Sequence, residues 1–193
     1  MPEALYFTDS DEANRLIASD PLALLIGFAI DQQVTVQQAF SGPLRLRQRI
    51  GTLDASAIAR MDPADLEAAF RERPAIHRFP RAMAQRVQEL CQVVVDEYEG
   101  DASRIWTEAA DTADLKNRIG ALPGFGKMKI TGFGSVLALR FGLPQAQELV
   151  PDYPCLGGVD SAEALAEYQA QKRAHKASLR AAKAAATAAS PTA

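Results

Sequence analysis

The sequence predicts an all-α protein, and two observations support that fold class. Residues that cap helices stand directly before segments whose apolar side chains recur three and four positions apart. Segments with the alternating pattern of a half-buried strand are few. With 193 residues, the chain is long enough to bury a hydrophobic core without disulfides or structural metals. We therefore expect one helical domain of ordinary size or one whose core is divided between two lobes.

Helix start signals are clear in the first half of the chain. An Asp-Pro pair at residues 20–21 supplies an N-cap and a proline at the first helical position. Thr35 and Gln38 form a capping-box pattern that predicts a second helix. A further Asp-Pro pair at residues 62–63 starts a third helix, and Pro80 starts a long fourth one with a single apolar face.

The second half is also predicted to be helical, with one irregular segment. Short helices are expected over residues 111–120 and 127–141. Residues 143–158 contain three prolines and two glycines, so we expect a loop there. Asp160 and Glu163 resemble a capping box that opens a final helix.

Charge is segregated along the chain, which has a net charge of −3. Residues 168–193 contain five basic residues and no acid, whereas the rest of the chain has 16 basic and 24 acidic residues. We therefore divide the chain into a helical domain, residues 1–167, and a basic helix and tail, residues 168–193, in which residues 184–193 are expected to be frayed. Within the acidic part, five arginines are opposed only by Glu72: Arg71, Arg73, Arg78, Arg81 and Arg86.

Several classes of protein and site are disfavoured. Cys91 and Cys155 are too few for a disulfide framework or a four-cysteine zinc or iron–sulfur site. His77 and His175 do not lie near other ligands in sequence, so no metal site is predicted. The longest apolar stretch, residues 22–30, is shorter than the roughly 20 residues of a membrane span. We expect a cytoplasmic protein, associated with the nucleoid if it binds DNA, without a membrane contact.

A tight hairpin between two helices, within residues 113–141, is the most specific motif. Its glycines allow positive φ and close approach of an anion, and the amides of the following helix start would face that anion. Two lysines just beyond the turn add positive charge, although a G-x-G pattern also serves simply to reverse the chain. The hairpin and these lysines comprise Leu122, Pro123, Gly124, Phe125, Gly126, Lys127 and Lys129.

Three ordered segments together resemble one protein family. Residues 30–39 read Ile-Asp-Gln-Gln-Val-Thr-Val-Gln-Gln-Ala, residues 122–126 read Leu-Pro-Gly-Phe-Gly, and residues 149–153 read Leu-Val-Pro-Asp-Tyr. In this order they resemble the helix-hairpin-helix/Gly-Pro-Asp (HhH-GPD) superfamily of DNA glycosylases, and most closely its 3-methyladenine type without an iron–sulfur cluster. The resemblance implies a two-lobed all-α fold, duplex DNA as partner, and no cofactor.

The resemblance also implies site residues. Gln32 and Gln33 match the loop that enters the duplex when a base is extruded, Gln33 being the wedge; alternatively, both only cap a helix-to-helix turn. Asp152 matches the catalytic aspartate, and Asp160 is its rival. Asp152 lies 26 residues beyond Gly126 and Asp160 lies 34 beyond, and the shorter loop is more typical of the family. The alternative for Asp152 is a solvated loop acid.

The expected activity follows from one substitution in the motif. The lyase branch of the family has a nucleophilic lysine two residues after the second hairpin glycine, where this chain has Met128. We therefore expect a monofunctional, monomeric glycosylase that removes a damaged, alkylated base with an aspartate-assisted water. A DNA-binding protein without excision activity and a helical interaction module remain alternative hypotheses.

Overall fold

The computed structural model describes residues 2–188, apart from the side chains of residues 175, 176, 179 and 182–188. This part of the chain contains helices and no strands, so the all-α prediction is confirmed. Its ten α-helices are α1 (Asp11–Ser19), α2 (Pro21–Ile30), α3 (Val36–Ile50), α4 (Ala55–Ala59), α5 (Pro63–Arg71), α6 (Pro80–Tyr98), α7 (Arg104–Thr107), α8 (Thr112–Gly120), α9 (Lys127–Leu139) and α10 (Ala162–Ala188). Two 3₁₀ helices, η1 (Pro144–Leu149) and η2 (Leu156–Gly158), connect α9 to α10.

Most helices begin where a polar side chain caps the first turn. Each of these side chains accepts a hydrogen bond from a backbone amide two or three residues further on. The capping residues of α1 to α5 and α8 are Ser10, Asp20, Thr35, Asp54, Asp62 and Asp111. The predicted starts of α2, α3, α5 and α8 are thus confirmed, and α6 begins at the predicted Pro80 without a capping side chain. Of the two hydrogen bonds in the predicted capping box of α3, the one from the Gln38 amide to Thr35 is present. The Gln38 side chain instead donates through Nε2 to the carbonyl oxygen of Ile76 (3.4 Å).

The region after the hairpin differs from the prediction in three ways. Helix α9 ends at Leu139, before the predicted boundary at residue 141. The predicted loop, residues 143–158, contains the 3₁₀ helices η1 and η2. The prediction that Asp160 caps the last helix is wrong, because α10 begins at Ala162 and the residue before it, Ser161, accepts the hydrogen bond from the Ala164 amide (3.1 Å).

The core joins two groups of packed helices. Helices α1 to α6 pack on one another, and α7 to α9 pack with each other and with the 3₁₀ helices. A chain of aromatic rings connects the groups: Phe40 contacts Phe28 of α2, and Phe28 contacts Phe133 of α9, with ring centroids 5.0 and 5.1 Å apart. Phe133 in turn meets Trp106 of α7 at 5.6 Å. The arrangement agrees with the predicted two-lobed helical fold.

Helix α10 packs on the core through its first turns. Leu165 is buried, whereas residues 170–174 are exposed. The helix continues through residues 184–188, where fraying was predicted, and residues 189–193 lie outside the described part of the chain. Within residues 2–188, no single helix has the length and apolar character of a membrane span; α1 and α2 meet those criteria only as a pair bent by 111°.

Candidate nucleic-acid interface

The hairpin between α8 and α9 has an apolar base and an open tip. Leu122 and Phe125 are buried, and the Phe125 amide donates to the Leu122 carbonyl oxygen (3.1 Å), which closes the turn. Gly124 has φ +80°, a conformation that strongly favours glycine. Gly126 is exposed and caps α9 without a side chain, unlike the polar residues that cap the six helices described above. The first turn of α9 therefore presents amides that an anion can reach.

The three residues after the hairpin face different surroundings. Lys127 is exposed, and Met128 is 72% exposed. Lys129 instead donates through Nζ to the carbonyl oxygen of Ala29 in α2 (2.8 Å) and lies 5.6 Å from the centre of the Phe125 ring. Burial, together with the nearby positive charge of Arg86, lowers the pKa of Lys129 from 10.5 to about 8. Lys127 is thus the hairpin lysine whose charge faces solvent.

In the loop between α2 and α3, residues 31–35, which we call the glutamine loop, hydrogen bonds fix Gln32, whereas Gln33 is exposed without a described side-chain partner. The Gln32 carbonyl oxygen accepts a hydrogen bond from His77, and its Oε1 accepts one from Arg86 (2.7 Å). Gln33 has φ +59°, is exposed, and has no side-chain hydrogen bond to any described residue. A non-glycine residue in this left-handed conformation is strained, and such strain is often found at functional sites.

His77 fixes this loop from the segment before α6. The ring is buried; its Nδ1 accepts from the Phe79 amide (3.1 Å), so Nε2 carries the hydrogen and donates to the Gln32 carbonyl oxygen (2.8 Å). Burial lowers the pKa of His77 below 6.5, and the charges of Arg78, Arg86 and Lys129 act in the same direction. The neutral ring is therefore a structural clamp on the loop.

Arg86 of α6 joins the hairpin to the glutamine loop, a role that the sequence did not reveal. Its Nη1 donates to Gln32, and its side chain lies against Gly124, where an added Cβ would be 2.6 Å from Arg86 Cδ. The sequence pointed to Arg86 only as a member of the arginine-rich segment, residues 71–86, and the arginines of that segment do not share one role. Arg71, for example, pairs with Glu67 one turn earlier in α5.

The two candidate catalytic aspartates lie in the connection to α10. Asp152 and Asp160 are exposed, and neither has a described hydrogen bond or ion pair with the hairpin or the glutamine loop. The neighbours of Asp152, Pro151 and Tyr153, line an open groove of about 740 Å³ that Lys127 also lines. The segment that carries Asp152 therefore borders the hairpin.

A third carboxylate, Asp31, is the C-cap residue of α2. It interacts electrostatically with Lys129 of α9 and Lys172 of α10. Burial raises the pKa of Asp31 above 3.8, and the two lysines partly oppose that effect. Helix α10 is held here by a hydrogen bond from Gln169 Nε2 to Gln37 Oε1 (2.7 Å). Asp31 belongs to residues 30–39, one of the three segments that carry the family resemblance, but the sequence predicts no role for Asp31 itself.

Among the described residues, no group of three or more His, Cys, Asp or Glu side chains is arranged to hold a metal ion.

A family model described as "HhH-GPD superfamily base excision DNA repair protein" matches residues 26–183, which include the glutamine loop, the hairpin and all three aspartates. No curated protein and no solved structure matches the chain.

Proposed function

We propose that this chain, which belongs to the HhH-GPD superfamily of base excision DNA repair proteins, is a monofunctional DNA glycosylase. Its proposed substrate is duplex DNA that contains a damaged, alkylated base, and the bond hydrolysed is the N-glycosidic bond. The observation that carries the proposal is the link through Arg86, whose side chain lies against Gly124 of the hairpin and donates to Gln32, the residue before the exposed Gln33.

The hairpin would hold the DNA backbone. The amides at the start of α9 and the exposed charge of Lys127 are suited to a phosphate group. Such contacts orient the duplex and do not depend on its sequence.

The glutamine loop would stabilise the extruded nucleotide. Removing a base from the stack costs a few kcal/mol, and a side chain that fills the gap lowers that cost. Gln33 suits this role because it is exposed and has no described partner, whereas Gln32 is held by His77 and Arg86.

Cleavage would use a carboxylate and water. As the bond from C1′ to the base nitrogen breaks, the bonding electrons leave with the base and the sugar acquires positive charge. A carboxylate stabilises that charge, water adds to C1′, and the water proton passes to the carboxylate or to solvent. Asp152 is the proposed carboxylate, and Met128 provides no amine for a Schiff base.

A DNA-binding protein without excision activity is the second candidate. The observation that favours it is the exposure of Asp152 without a described contact to the hairpin or to Gln33. Both candidates bind duplex DNA, so binding alone does not distinguish them.

Base release from duplexes that carry alkylated bases tests the proposal. Under single-turnover conditions, we expect release by the native protein and a roughly 10²- to 10³-fold slower rate for Asp152→Asn. Asp160→Asn tests the rival aspartate, and Asp65→Asn, an exposed position on α5, is the matched control.

Each result has a distinct meaning. Full activity of Asp152→Asn would remove only the role of Asp152, and a loss confined to Asp160→Asn would transfer that role to Asp160. If the native protein binds the duplexes but releases no base from any of them, the glycosylase proposal fails and the second candidate stands.

A further inference from the structure

Helix α10 presents most of its length to solvent. Leu165 is buried, and Gln169 donates through Nε2 to Gln37 Oε1 in the first turn of α3 (2.7 Å). Beyond Gln169, every residue up to position 181 whose side chain is described is exposed. The helix continues to residue 188, so its exposed part is about 28 Å long at 1.5 Å per residue.

The basic residues of this exposed part share one face of the helix. From Leu165 onward, the residues of that face follow at intervals of four, three, four, four and three positions. Such intervals keep residues on one side of an α-helix, because one turn contains 3.6 residues. The face begins with Leu165 and Gln169, which contact the rest of the protein, and continues with Lys172, Lys176, Arg180 and Lys183, which we call the basic face of α10.

The charge of the basic face is not offset by acidic residues. Glu167, the last acidic residue of the chain, precedes Lys172 by more than one turn, and Arg173 adds a fifth positive charge. Lys172 and Arg180 are exposed, and none of the ion pairs among the described side chains involves α10. Like charges four residues apart destabilise a helix. The arrangement therefore suits a polyanionic partner that neutralises them.

The basic face starts next to the proposed DNA surface. Gln37, the partner of Gln169, lies four residues after Gln33 in the chain. A duplex with a nucleotide extruded at Gln33 therefore has one flank near the start of the basic face. The exposed part of α10 is as long as about eight base pairs of DNA, whose phosphates recur every 3.4 Å along a strand.

We propose that the basic face of α10 binds the phosphate backbone of the duplex on one flank of the extruded nucleotide. The inference rests on the proposed function, which supplies the duplex and its position at Gln33. Because α10 is a single element, the added attraction acts on one flank and not on the other. An anionic membrane is a poorer partner, because a helix on a membrane surface needs an apolar face and residues 170–188 contain one large apolar residue, Leu179.

Two duplexes with one stable abasic analogue each test the inference on the full-length protein. Both are about 20 base pairs long, and the analogue lies about five base pairs from one end in the first and about five from the opposite end in the second. The analogue marks one strand and one position, so the two duplexes offer different long flanks with the same number of phosphates. We expect the native protein to bind one of them roughly tenfold more tightly at low salt, with a slope of log K against log salt concentration that is steeper by about 3.

An exchange variant separates the position of the charges from their number. It combines Lys176→Ala with Ala177→Lys and Arg180→Ala with Ala181→Arg, which moves two charges by about 100° around the helix and keeps the composition and net charge. The tenfold difference should fall severalfold, and the difference in slope should fall by about 2. Arg60→Gln, which removes an exposed charge outside α10, should leave both differences unchanged.

Far-UV circular dichroism controls for folding. The exchange variant should keep the native helix content, because the same residues fill the helix and the described positions 177, 180 and 181 are exposed. A loss of flank preference at native helix content then reports the position of the charges.

The inference is overturned if the native protein binds both duplexes equally or if the exchange variant keeps the native difference. Equal binding of the duplexes, together with exchange-sensitive binding to vesicles of phosphatidylserine and phosphatidylcholine, would assign the basic face to a membrane instead. The inference is separable from the proposed function. A flank preference that depends on the basic face, without base release from any lesion, would reject excision and retain this surface. Base release with equal binding of the two duplexes would do the reverse.

Discussion

Gln32 and Gln33 show how neighbouring, identical side chains acquire different roles at the residue scale. Gln33 has a left-handed φ of +59°, whereas the Gln32 side chain accepts a hydrogen bond from Arg86. Gln32 gains hydrogen bonds with both its carbonyl and its amide oxygen, so it secures the loop. Gln33 contributes no described bond and adds backbone strain, which is understandable if its benefit appears only when DNA is bound.

Replacing Gln33 by glycine should separate stability from function. Glycine removes the strain of a left-handed residue but increases the entropy of the unfolded chain, so we expect unfolding stability to be unchanged or up to about 1 kcal/mol higher. Base release should slow by roughly ten- to hundredfold, because nothing then fills the gap in the duplex. Urea unfolding and single-turnover release measure the two effects.

The comparison variant is Gln32→Ala. It should lower stability by about 0.5–1.5 kcal/mol, because it leaves the Arg86 donor without this acceptor. Native rates of release in Gln33→Gly would show that Gln33 is not the wedge.

At the scale of elements, α6 sets the relative position of the hairpin and the glutamine loop. Neither element contacts the other through a described side-chain hydrogen bond, but Arg86 touches both. The His77 clamp lies just before the same helix. A movement of α6 would therefore displace the hairpin and the glutamine loop together.

A double-mutant cycle between Gly124 and Arg86 tests this coupling. Gly124→Ala should destabilise the protein by about 1–2 kcal/mol through its φ of +80°, and by more where the new Cβ meets the Arg86 side chain. In an Arg86→Ala background only the first effect remains, so we expect a coupling energy of about 0.5–3 kcal/mol in urea unfolding. Additive effects of the two substitutions would contradict the contact between Gly124 and Arg86. Gly51→Ala is the matched control for backbone strain alone, because Gly51 has φ +79° and no atom lies within 4 Å of an added Cβ.

At the scale of the whole molecule, the features that could be predicted from the sequence are those determined by residues close together in the chain. The helix starts at residues 20–21, 35 and 62–63 follow from capping and proline chemistry within one turn, and the hairpin follows from its glycines. The Asp160 cap failed because Asp160 and Ser161 are adjacent capping residues, and the sequence did not indicate which one would precede the first turn.

The contacts that assemble the site could not be predicted, because they join residues far apart in the chain. Arg86 and Gln32 are 54 residues apart, and Lys129 and Ala29 are 100 apart. The inward direction of Lys129 illustrates the consequence. Its sequence position beside the hairpin suggested a phosphate contact, whereas the folded protein offers its ammonium group a carbonyl oxygen of α2.

The segregated charge of the chain leads to a prediction about salt dependence. Each phosphate neutralised by a lysine or arginine contributes about 0.9 to the slope of log K against log salt concentration. If the exposed arginines of α10 contact DNA, replacing Arg173 and Arg180 by glutamine should reduce the slope by about 2. If Lys127 at the hairpin contacts a phosphate, Lys127→Gln should reduce the slope by about 1. Arg60→Gln, at the end of α4, removes one exposed charge from an element that packs on α6 and should leave the slope unchanged. Equal slopes for the native protein and the Arg173/Arg180 variant would limit the DNA contact to residues 1–167. The hairpin amides and Lys127 would then have to supply the attraction, because the net charge of residues 1–167 is negative and opposes DNA binding.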